Sequence, residues 1–237
     1  MLFRFIELYL VKNVRSPFLN QYGNFKMKKL ALFIAAAVFA GNAAATAGDS
    51  TLTVNYFQTK SSGMKDVADT ASSAMDAWNA AALAAYGKDA VNYSPEGYSN
   101  LGGVSVHYRY EITDTLGVIS AISWARETAY STETAPASSA ESRVKGSYLA
   151  VMAGPSYRIN NYVSVYAMAG VADKKLSVNT SGDIGDFHAS ENQTDLAYGA
   201  GAQFNIYKGI TLDLAYEASN GGEWKTSGIS AGLGYKF

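Results

Sequence analysis

The chain ends in Ile229-Ser230-Ala231-Gly232-Leu233-Gly234-Tyr235-Lys236-Phe237, and the alternation in this stretch decides the fold. Ile229, Ala231, Leu233, Tyr235 and Phe237 share one face, while Ser230, Gly232, Gly234 and Lys236 share the other. Successive side chains of a strand point to opposite faces, so the segment has an apolar side and a small or polar side. The pattern repeats upstream. Ile210, Leu212, Leu214 and Tyr216 oppose Thr211, Asp213, Ala215 and Glu217. Leu196, Tyr198, Ala200, Ala202, Phe204 and Ile206 oppose Asp195, Gly199, Gly201, Gln203 and Asn205, and Val104, Val106, Tyr108 and Tyr110 oppose Ser105, His107, Arg109 and Glu111. Weaker alternation places further strands near 49–60, 116–128, 144–158 and 162–176.

The expected fold is all-β: an eight-stranded antiparallel up-and-down transmembrane β-barrel with long extracellular loops. Each strand is at least as long as the roughly 9–11 residues needed to cross a bilayer at a tilt. An even number of tilted strands closes the sheet, which matters because lipid satisfies no open edge. The connections alternate in length. Ile112–Thr115, Ile159–Asn161 and Tyr207–Gly209 are short, whereas 61–98, 129–143, 177–192 and 220–225 are longer. Short periplasmic turns and long outer loops produce this order. A lipocalin-like soluble barrel would instead keep its apolar side chains inside.

The polar faces then line the lumen. Arg109, Glu111, Asp213 and Glu217 are predicted to form a charge network there, because a buried charge needs a partner. An eight-stranded lumen is just wide enough for side chains, which argues against a porin. Aromatic girdles are expected at the two membrane interfaces. One holds Tyr108, Tyr110, Tyr157, Tyr162, Phe204, Tyr207, Tyr235 and Phe237; the other holds Trp124, Tyr148 and Trp224.

Charged residues make up only 16% of the chain, below the roughly 25% of a soluble domain. Cysteine is absent, which excludes disulfides and thiol chemistry. Lys28 and Lys29 precede an apolar run, Leu30 to Ala40, and small residues at Ala43, Ala45 and Ala47. This is the pattern of a signal peptide over residues 27–47, leaving 48–237 as the barrel. Residues 1–26 are then read as an upstream extension, with the start at Met27. Six of the 19 basic residues and one of the 20 acidic residues precede residue 48, so the remainder carries a net charge of −6. An acidic chain does not track a phosphate backbone by its net charge, so no nucleic-acid partner is expected.

The stretches GVSVHYRYEITDTLGVI, YLAVMAGPSYRINNYVSVYAMAGVA, LAYGAGAQFNIYKGITLDLAYE and ISAGLGYKF closely resemble the Ail/Lom/OmpX family of enterobacterial outer-membrane proteins. The most specific segment is Ala153-Gly154-Pro155-Ser156-Tyr157-Arg158-Ile159-Asn160. The resemblance implies a barrel with both termini in the periplasm and no cofactor. It also implies a surface role in adhesion, invasion or resistance to complement, with host matrix, cell-surface or complement proteins as partners. The alternative is a structural outer-membrane barrel without a specific partner, and less readily a lipid-modifying enzyme.

Two surfaces carry the functional expectation. Loop 61–98 is longer than the family's usual first loop, and Met64, Val67, Ala71, Met75, Trp78, Ala82 and Ala85 recur at three and four residues. This spacing predicts an amphipathic helix that offers Met75 and Trp78 to a partner. Lys60, Arg126, Arg143, Lys145, Lys174, Lys175 and Lys225 fall near outer strand ends. There they would form a basic rim for lipopolysaccharide phosphates or sulfated polysaccharides. Catalysis is not expected. His107 is read as a hydrogen-bonded lumen residue near Ser105 and Glu111, and no His/Asp/Glu cluster has metal-site spacing.

Overall fold

Alternation at period two becomes strand after strand in the computed structural model, which describes residues 48–237 except 96, 183–185, 208 and 222–223. The signal-peptide and start-site readings lie outside the described residues. The elements are β1 (Ser50–Ser61), α1 (Ser62–Tyr86), β2 (Asn92–Pro95), β3 (Leu101–Glu111), β4 (Leu116–Ala135), β5 (Ser138–Arg158), β6 (Val163–Gly182), β7 (Phe187–Tyr207), β8 (Ile210–Ser219) and β9 (Thr226–Lys236). Sequential neighbours pair antiparallel, and β1 pairs with both β3 and β9, which closes eight strands into a barrel. The short β2 stands outside this ring and pairs only with the outer part of β4. Among the described residues no helix is long and apolar enough to cross a membrane. The crossing is made by strands.

The closure is reinforced where the ends meet. Ser50 and Phe237 exchange two backbone hydrogen bonds at 2.8 Å each. Asp49 accepts from Lys236 at 2.7 Å and from Arg158 at 2.9 Å, and Arg158 also pairs with Glu111. Three tight connections lie at this end, including the one at Gly209, whose φ of +87° suits glycine. An added Cβ there would come 2.8 Å from the Lys236 carbonyl oxygen.

At the opposite end the strands are unequal. β4 to β7 run 20 or 21 residues, whereas β1, β3, β8 and β9 run 10 to 12. The segments 129–143 and 177–192, expected as loops, are therefore mostly continuations of strand. These four strands stay paired to one another as they rise beyond the lipid-facing wall by about ten residues, or roughly 30 Å of strand. Ladder hydrogen bonds continue to the ribbon tips, with Ala135 opposite Ser138, and this is why Ser- and Thr-rich sequence stays extended.

The lumen has two layers. Toward the periplasm it is polar, with Thr51, Thr53, Asn55, Ser105, His107, Arg109, Gln203, Thr211 and Asp213 all at 1% exposure or less. Toward the outside it is apolar, built from Phe57, Leu101, Val144, Tyr148, Leu176, Val178 and Trp224. The N-terminal half of α1 covers this apolar layer through Met64, Ala68 and Ala71. Nine of the 25 residues of α1 are alanine, which favours helix. Gly87 ends it with φ of 80°, its N–H donating to the Leu83 carbonyl at 2.9 Å. Burying Met64 and Met75 contributes roughly 1.5–3 kcal/mol each to docking.

Candidate functional site

The polar lumen gathers around one carboxylate. Asp213 accepts from Thr53 at 2.7 Å, Tyr166 at 2.6 Å and Gln203 at 2.9 Å, and His107 Nδ1 lies 2.9 Å from its Oδ2. The other ring nitrogen of His107 is 2.7 Å from Ser105 Oγ. Ser105, His107 and Asp213 thus have the order and spacing of a serine–histidine–aspartate relay. All three are at 1% exposure or less, however, which gives an ester no approach to the Ser105 hydroxyl. The arrangement satisfies buried polar groups. The acid beside His107 is Asp213, where the sequence had pointed to Glu111.

The expected charge network is therefore divided. Arg109 pairs with Glu111 at 3.2 Å and donates to Thr51 at 3.2 Å, next to the Arg158–Glu111 pair. Asp213 takes His107 and three neutral donors in place of Arg109. Glu217 accepts from Tyr148 at 2.5 Å and Ser123 at 2.7 Å. Tyr148, Tyr166 and Arg158 were missed as members of this network. Tyr148 and Trp224, expected in the outer aromatic girdle, point inward at 1% and 6% exposure. Trp124 does face outward, at 46%.

The basic rim also needs correction at one position. Lys174 is fully buried, pairs with Asp195 at 2.5 Å and donates to the Trp224 carbonyl. It cannot meet a polyanion; it ties the connection after β8 to the barrel wall. Lys60, Arg126, Arg143, Lys175 and Lys225 are exposed, and Lys145 is half-buried on the same outer surface. They fall into two groups. Arg126 is opposite Ser147, and Ser147 is opposite Lys175, which sets a row across β4, β5 and β6. Lys145 stands two residues farther out on β5 from Ser147, and Arg143 stacks on the Tyr130 ring at 4.7 Å and pairs with Glu141 at 3.6 Å. On the other side Lys60, Lys225 and Lys65 of α1 line an open cleft of about 700 Å³. Ser62, Ser99, Asn100, Asn220 and Ser227 add hydrogen-bonding groups, and Tyr98, Tyr198 and Tyr216 add aromatic surface. Lys65 was not among the expected rim residues, because only the folded helix brings it beside the strand ends. Its bond to Asp69 at 2.6 Å raises its pKa above the ordinary lysine value.

Of the two residues proposed to meet a partner, Met75 is 4% exposed and packs inward, so it is not displayed. Trp78 is half-buried. Beside them Tyr93 donates to Asp76 at 2.7 Å; burial, then the Asp76 carboxylate, pushes its pKa up to about 12.

Comparison with known proteins agrees with this architecture. The family model described as the outer membrane protein beta-barrel domain matches residues 30–237. The outer membrane protein Lom of Escherichia phage lambda is 33% identical over 227 residues, spanning 88% of this chain and 97% of Lom. The virulence membrane protein PagC of Salmonella typhimurium is 33% identical over 147 residues, spanning 59% of this chain and 79% of PagC. The crystal structure of the Yersinia pestis attachment invasion locus protein Ail, in complex with the heparin analogue sucrose octasulfate, superposes with a TM-score of 0.54. It is 26% identical and the alignment covers 81% of this chain and all of Ail. A closed eight-stranded barrel with a lipid-facing apolar wall, matched by the family model over residues 30–237 and by Lom over 88% of the chain, belongs to the Ail/Lom/OmpX family of bacterial outer-membrane proteins.

Proposed function

We propose that this protein is a surface adhesin or complement-resistance factor that engages polyanionic glycan through the Lys60–Lys65–Lys225 cleft. The carrying observation is that Lys60 of β1, Lys65 of α1 and Lys225 of the connection between β8 and β9 line one open cleft at the outer mouth. Hydroxyl and amide groups surround them, which suits sulfate or phosphate esters on a polyhydroxylated chain. Support comes from the relatives: one carries the name of an attachment invasion locus, and Ail has been crystallised with a heparin analogue. Host matrix, cell-surface and complement proteins that carry or bind such glycans are the partner class. A catalytic step forms no part of this reading.

The test is adhesion to matrix-coated wells and serum survival of a non-adherent bacterium expressing the protein. Three forms are compared: wild type, K60Q/K65Q/K225Q, and a deletion of residues 64–86. Gains that the triple variant abolishes support the cleft. No gain from wild type, with the barrel present in the outer membrane, would leave a structural barrel without a specific partner.

A second reading concerns the row of Arg126, Lys145 and Lys175 on the outer wall. These residues lie just beyond the lipid-facing segment, where lipopolysaccharide phosphates sit, and so would seat the barrel in the outer leaflet. R126Q/K175Q is expected to reduce lipopolysaccharide co-purification while leaving adhesion through the cleft intact.

A further inference from the structure

Glu133 lies on the inward side of β4, in the ribbon above the membrane, and is 1% exposed. Neither of its carboxylate oxygens finds a hydrogen-bond donor among the described residues. Leaving a carboxylate charged and buried without donors is costly, so the group either takes up a proton or meets a cation. The groups around it do not supply that charge. Tyr93 is directly opposite Glu133 across the β2–β4 pairing, and its hydroxyl is committed to Asp76 of α1. Asn79, one turn farther along α1, has its own side-chain oxygen buried and unpartnered among the described residues. Two carboxylates, Asp76 and Glu133, therefore both face Tyr93 where α1 meets the ribbon, and Asn79 Oδ1, one helical turn from Asp76, is a further unpartnered acceptor among the described residues.

We propose that Glu133, Asp76 and Asn79 form a calcium site that fastens α1 to the β4 ribbon. Two carboxylates neutralise one divalent cation, and calcium accepts carboxylate, amide and water oxygens in irregular geometry. Magnesium, which demands an octahedron and holds its waters, fits less well. The ligands come from a helix and a distant strand, so sequence spacing does not reveal them. Among the described residues no group of three or more His, Cys, Asp or Glu side chains converges, so solvent completes the shell and the affinity belongs in the range of extracellular modules, roughly 0.1–1 mM.

The probe is terbium(III), whose luminescence is sensitised by nearby aromatic rings such as Tyr93, titrated into the refolded barrel in detergent. Wild type is expected to give one saturable signal displaced by millimolar calcium. E133Q and D76N should each weaken it at least tenfold, and E141Q, an exposed glutamate on the same ribbon, should leave it unchanged. Heat-dependent gel mobility verifies that each variant is a folded barrel. Calcium should also slow endoproteinase Lys-C cleavage at Lys65 and Lys88 in wild type but not in E133Q. Equal terbium binding by wild type and E133Q, or calcium-independent cleavage in wild type, would overturn the proposal.

Discussion

Asp213 shows what a single lumen side chain carries. Four donors converge on it, so Asp213→Ala leaves Thr53, His107, Tyr166 and Gln203 without their acceptor in a site that water does not reach. The expected cost is about 3–5 kcal/mol, read as a lower urea midpoint for the refolded barrel. Arg109→Ala should cost less, because Glu111 keeps Arg158 as a partner. Lys174 and Asp195 supply a sharper case. Lys174→Met leaves the mostly buried Asp195 carboxylate with the Gln193 amide but without its cation, and the double variant K174M/D195L should recover most of the loss, since the penalty comes from the unpaired charge. At the periplasmic rim Asp49 answers to pH. The hydrogen bond from Lys236 holds its carboxyl below the ordinary value, with burial opposing and the charges of Lys236 and Arg158 adding to the effect. A depressed carboxyl stabilises the fold above its unfolded pKa of about 3.9 and loses that contribution as pH falls through the lower folded value. D49N should therefore flatten the acid limb of stability below about pH 4, by a small amount because the side chain is 48% exposed.

At the scale of the element, α1 depends on packing more than on its ends. Its N-cap Ser61 makes no side-chain capping bond, and no acidic residue occupies its first turn. Docking through Met64 and its neighbours therefore has to hold it. Met64→Ala is expected to weaken that docking by on the order of 2 kcal/mol, which makes Lys-C cleavage at Lys65 about thirtyfold faster through local opening. Barrel unfolding should hardly change, because the eight strands pair without the helix. The amphipathic spacing made this helix legible in the sequence, yet not which way its face points: Met75 reads equally well as a displayed anchor or a buried one. The strands show the same division. β3, β8 and β9 were legible because lipid on one side and packed polar groups on the other enforce strict alternation. Beyond the membrane that contrast ends, so the outer halves of β4 to β7 carry little period-two signal and read as loops. Tyr148 was misplaced for a related reason. Leu149 beside it is also apolar, and the apolar upper lumen erases the contrast between faces. Lys174 and Lys175 could not be told apart by type, only by parity, and parity sends one into the lumen and the other to the surface.

For the whole molecule, charge distribution matters more than net charge. The barrel portion is acidic overall, yet its bases concentrate at the outer mouth in two separate groups, while Asp213, Glu217 and Glu111 are sequestered in the lumen. A polyanion approaching from outside therefore meets locally positive clefts, with the nearest lumen acids already neutralised or hydrogen-bonded. Such attraction is screened by salt, since the Debye length falls from about 10 Å at 0.1 M to 3 Å at 1 M. If about three ammonium groups meet a heparin fragment, each displaces condensed counterions. Affinity should then fall on the order of a hundredfold between 0.05 and 0.5 M sodium chloride. K60Q/K65Q/K225Q should both weaken binding and flatten that slope, whereas R126Q/K175Q should do neither. The comparison separates the two basic surfaces, which net charge alone does not. A slope that the triple variant keeps and R126Q/K175Q removes would move the glycan site to the row on β4, β5 and β6, and α1 would then take no part in it.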